Sequence, residues 1–133
     1  MAAHEQVNIN QFPDTVPAGY LRNKVYPQDV ALYRTESARK DRQAMWRDKL
    51  ANTKKTGFYD DVKARGVLEP VHVVHDPHFG PELHSGHHRV AAAANISHQM
   101  PVPVRHFPNY TAYQEFKQSP DYAEEDNPNW RKR

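Results

Sequence analysis

The chain is 133 residues long, 38% hydrophobic and carries 11 prolines, which allows one modest core with much irregular chain around it. Its 18 Lys and Arg against 16 Asp and Glu leave a formal charge of +2, so bulk charge announces no nucleic-acid binder and any such surface must come from local segregation. Cys is absent, which excludes disulfides, thiolate metal sites and thiol nucleophiles, and no apolar run approaches the roughly 20 residues of a membrane span. Met1 to Asn10 lack a signal-peptide core, so a cytoplasmic protein without membrane partners is expected.

Residues 1–20 contain Pro13, Pro17 and Gly19 and no sustained periodicity, and read as an irregular arm. A single domain is expected over 21–117, followed by a flexible tail over 118–133. Leu21 to Tyr26 reads as a short strand stopped at Pro27. From about Thr35 to Asn52 helix formers prevail, with Ala38, Met45, Trp46 and Leu50 as a narrow apolar stripe, until Asn52-Thr53 breaks the pattern. A second helix fits Gly57 to Arg65, with Asp60 and Asp61 in its first turn and Gly66 to close it.

Val71 to Val74 is the expected buried strand, and turn residues at Asp76-Pro77 and Phe79-Gly80-Pro81 send a hairpin back through Leu83. Gly86 follows, then an alanine-rich helix to Ala94, ended by Asn95 in the left-handed position. Val102 to Arg105 reads as a further strand, placed at a sheet edge by its prolines. Thr111 to Lys117 fits one last short helix.

Charge is unevenly spread. Residues 34–55 hold eight bases against three acids, while 107–130 hold five acids against Lys117. Arg39, Arg42 and Arg47 are the candidate nucleic-acid contacts in this basic stretch; a solvated helix face offset by the acidic tail is the alternative.

The sharpest motif is Ser85-Gly86-His87-His88-Arg89-Val90-Ala91-Ala92-Ala93, a glycine between strand and helix with polar, potentially cationic residues in the first helical turn. Free amides and the positive end of the helix dipole gather at such a place and suit an anion. Gly86 permits close backbone approach, and Arg89 offers a planar two-pronged contact to phosphate oxygens. His88 is placed to donate to the same anion or to move a proton near neutral pH.

The Gly86-His87-His88-Arg89 run resembles the Gly-Glu-Arg-Arg or Gly-Cys-His-Arg box of the ParB/sulfiredoxin superfamily. Phe58 through Val71 is similar to that family's helix, its "Gly-hydrophobic-Leu-x-Pro" turn and its strand, and Val102-Pro103-Val104 to its closing strand. The resemblance covers residues 56–106, reaching Lys24 if Val25 to Val30 forms the first strand and turn. It implies a small α/β (α+β) domain, a mixed sheet with flanking helices, and a nucleotide- or phosphate-binding pocket at the box. Known members include CTP-binding DNA-partition proteins, phage nuclease-like domains, an ATP-dependent sulfinic acid reductase and small-molecule kinases. Carried over by position, Gly86, His87, His88 and Arg89 would contact phosphate, His88 or His87 would carry the proton, and Glu69 would be a base or ion ligand at the pocket mouth.

The departures narrow the choice. The reductase needs a Cys where His87 stands, and partition proteins carry Glu there and a helix-turn-helix domain after the box. Only 27 residues follow His106, too few for such a reader. A stand-alone ParB-like domain of the phage or mobile-element type remains, which would work in the host cytoplasm. It would bind a nucleotide or nucleic acid, with nuclease or phosphoryl-transfer chemistry as the reactions that such a site supports.

There are 9 His, six of them between His72 and His88. Their spacings match no zinc pattern, so no structural metal is assigned; a divalent cation accompanying a bound nucleotide is the cofactor to consider. Tyr110, Tyr113 and Phe116 share a helix face, which suits packing better than base stacking. The rival reading of the whole chain is a non-enzymatic protein-interaction module that keeps the scaffold. Self-association fits either reading.

Overall fold

The computed structural model describes residues 7–27, 36–120 and 122, and these form a small α/β domain. Its strands are β1 (Thr15–Pro17), β2 (Tyr26–Pro27), β3 (Val71–Asp76), β4 (Gly80–Ser85) and β5 (Pro101–Phe107). Its helices are α1 (Ala18–Lys24), α2 (Glu36–Thr56), α3 (Phe58–Arg65), α4 (His87–Ile96) and α5 (Tyr110–Lys117). The sheet order is β1-β5-β3-β4-β2. It is mixed: β3 pairs antiparallel with β4 and parallel with β5, β1 runs antiparallel to β5, and β2 lies parallel to β4.

Strand alternation sorts the β3 side chains onto two faces. Val71 and Val73 join Leu83, Val102 and Val104 in the main core under α1, α2, α3 and α4, whereas Val74 joins Phe107 and Tyr113 under α5. The main core is built around α4, whose Val90 to Ala94 are buried without a break. A helix enclosed on every side leaves no solvent face for long side chains, and alanine is what lets α1, α2, α3 and the sheet approach it together.

The β3–β4 hairpin forms as its turn residues dictate. Asp76 Oδ1 accepts from the amides of His78 (2.7 Å) and Phe79 (2.9 Å), an Asx turn. α5 is capped by Asn109, whose Oδ1 accepts from the Ala112 amide at 2.8 Å.

Several elements differ from the sequence expectation. Within the stretch read as an irregular arm, 15–17 form a strand and a helix begins at Ala18; it runs through Leu21 to Lys24, part of the expected strand, and extended backbone starts only at Val25. The helix is short, and its first amides are satisfied from far along the chain: Ala18 donates to the Met100 carbonyl and Gly19 to that of His98, both at 2.9 Å. α2 runs through Asn52-Thr53 to Thr56, because Thr53 is buried and its hydroxyl donates to the Leu50 carbonyl at 2.6 Å. Asn95 stays within α4, where its Oδ1 accepts from the Tyr59 hydroxyl at 2.8 Å; Ser97 closes the helix. β5 is no edge strand but lies between β1 and β3. Its prolines, 101 and 103, precede the Val104 to Phe107 stretch that pairs with β3, so their missing amides cost that ladder nothing.

No described helix is long and apolar enough to cross a membrane. Arg34 and the acidic residues beyond Pro120 in the tail lie outside the described residues.

Candidate functional site

The Ser85 to Ala93 motif folds as a strand, a left-handed glycine and a helix, with Gly86 (φ 104°) in the N-cap position of α4. What approaches Gly86 most closely is the domain's own core: a Cβ at this position would overlap Val71 Cγ1. Arg89 is 4% exposed, and its Nη1 donates to the Pro70 carbonyl at 3.0 Å. Arg89 thereby ties the first turn of α4 to the residue that follows Glu69. Glu69 and His88 are half-buried, and His87 is buried with its ring 6.0 Å from that of Trp46. The box is therefore a well-packed junction whose described contacts run inward.

Trp46 leads from this junction to a cleft. The cleft lies between α1 and α2, has a volume of about 410 Å³ and is lined by Arg22, Asn23, Lys24, Arg39, Arg42 and Trp46 among others. No acidic side chain is among its described lining residues. Arg22 Nη1 donates to Asn23 Oδ1 at 3.0 Å, and its guanidinium carbon stands 5.9 Å from the Trp46 ring centroid, a cation–π arrangement. Two of the predicted nucleic-acid contacts, Arg39 and Arg42, meet here; Arg47 does not line the cleft. Arg22 and Lys24 are the members that sequence reasoning missed. They stand in the last turn of α1, where basic side chains also complement the helix dipole.

The histidines are dispersed rather than gathered. His72 Nδ1 lies 3.2 Å from the Tyr113 hydroxyl beneath α5, and His84 Nε2 lies 3.1 Å from Glu82 Oε1 on the same face. His78 is in the exposed hairpin turn. His75 pairs with a histidine from another strand: its Nε2 is 2.7 Å from Nδ1 of His106, whose Nε2 donates to the Pro13 carbonyl at 2.8 Å. Burial, and then the neighbouring His106 charge, lower the His75 pKa from 6.5 to about 4. No group of three or more His, Asp or Glu placed to hold a metal ion occurs among the described residues. Tyr113 is buried against Phe107 and Phe116 packs partly buried beside them, whereas Tyr110, expected on the same packing face, is 48% exposed.

Compared with known protein families, curated proteins and solved structures, the chain matches none.

Proposed function

We propose that this chain binds the phosphate groups of a nucleotide or nucleic acid, as the resemblance of residues 56–106 to the ParB/sulfiredoxin superfamily implies, and that it does so in the cleft between α1 and α2. The observation that supports this placement is the convergence of Arg22, Lys24, Arg39 and Arg42 on one polar cleft. A polyanion bound there gains charge-assisted hydrogen bonds from basic side chains of two elements. Trp46 joins the cleft to the box through its contact with His87.

The test is binding of single- and double-stranded DNA and of a nucleotide panel across a salt series. A log–log slope of about −0.9 per phosphate contact on duplex is expected, and Arg39→Glu with Arg42→Glu flattens it by about two contacts. Arg47→Glu, outside the cleft, changes it less. Binding that is undetectable at low salt, or that all three reversals weaken equally, would overturn this placement.

A further inference from the structure

We infer that the cavity between the 12–25 segment and the sheet is a binding site for a small, uncharged, flat aromatic molecule bearing one hydrogen-bond donor. The cavity has a volume of about 230 Å³, and its walls include Phe12, Val16, Leu21, Val73, His75 and His106. An apolar cavity of about 150 Å³ holds a benzene ring, so this one has room for a fused bicyclic ring. Almost everything facing it is hydrocarbon or aromatic, which favours an uncharged occupant over an ionic one.

The histidine pair gives the cavity its polarity. A carbonyl only accepts, so His106 Nε2 must carry the proton that reaches Pro13. In the neutral pair His106 Nδ1 is then an acceptor, and it takes the proton of His75 Nε2. That leaves His75 Nδ1 as a bare lone pair on a ring lining the cavity, with no hydrogen bond from any described residue. The low basicity of His75 agrees with this, since it keeps the ring an acceptor at neutral pH. Phe12 stacks on His75 at 4.1 Å between centroids, with 27° between planes, and so fixes the ring that presents the lone pair. An N–H or O–H on the edge of an aromatic ring satisfies the lone pair while the ring fills the apolar volume.

The probes are indole, which has the donor, and 1-methylindole, which lacks it. Calorimetry should show saturable binding of indole to the intact chain, with 1-methylindole about tenfold weaker because the lone pair stays unmet. The nitrogen-15 resonance of His75 Nδ1 should move on saturation with indole and stay with 1-methylindole. His75→Phe keeps a ring beside Phe12 and removes the lone pair, so it should erase the difference between the probes. Equal affinity for the two, or no binding of either at millimolar concentration, would overturn the inference. Should His75→Phe fail to fold, the wild-type resonance decides: an unmoved Nδ1 at saturating indole is equally fatal.

Discussion

Arg89 and Pro70 are 19 residues apart in sequence and joined by a 3.0 Å hydrogen bond from the guanidinium to the carbonyl. This bond ties the entrance of α4 to the entrance of β3, and it takes place where an arginine after a glycine box suggests an anion contact. Arg89→Ala should therefore lower stability by about 2–4 kcal/mol, since it strands a carbonyl and removes buried aliphatic stem. Arg89→Met keeps the stem and should cost about 1–2 kcal/mol. Urea melts of the two variants measure this. A wild-type midpoint for Arg89→Ala, together with lost nucleotide binding, would return the anion site to the box.

Gly86 needs both its backbone and its bareness. A φ of 104° strains any L side chain, and the Val71 side chain occupies the space a Cβ would take. Gly86→Ala should cost about 2–4 kcal/mol, part strain and part overlap. Combining it with Val71→Ala should recover about 1 kcal/mol of the overlap, so that the pair is less than additive. Additive losses in a double-mutant cycle would show that overlap with the Val71 γ-methyl contributes nothing to the cost.

Ala92 and Ala93 have no exposed surface, and four elements press on their helix. Ala92→Leu and Ala93→Leu should each destabilise by about 1–3 kcal/mol through overpacking. Thermal melts that match wild type for both would mean that α4 has room the structure does not show.

The central part of this fold is legible because its signals are local. Asp76 makes its own turn, Gly86 and Gly66 sit at helix ends, and a run of alanines can only mean close packing. What escapes local reading depends on partners distant in sequence. α1 is seven residues long, too short for a period to emerge, and its amides find the carbonyls of His98 and Met100. The strand that Pro101 and Pro103 place at an edge is covered by β1, which Pro13, Pro17 and Gly19 make look irregular. The cleft is half legible for the same reason. Arg39 and Arg42 belong to a visible basic run, whereas Arg22 and Lys24 join them only because residues 18–24 are helical. His75 and His106 stand 31 residues apart, and no spacing rule connects them.

Their pairing sets a pH dependence. The His75 pKa is about 4 in the folded chain, against 6.5 unfolded. Between those values the unfolded chain takes up a proton that the folded chain refuses, so stability rises with pH across the window. The contribution is fully present above pH 6.5 and is lost as pH falls toward 4, below which the native ring also protonates and the dependence flattens. One proton gives at most about 1.4 kcal/mol per pH unit, and screening at a half-open cavity leaves about 1–2 kcal/mol over the whole window. Urea melts at pH 7, 6, 5 and 4 measure the slope. His75→Phe should remove this part of it. If the variant loses as much stability between pH 7 and 4 as the wild type does, protonation of His75 is not what the fold resists.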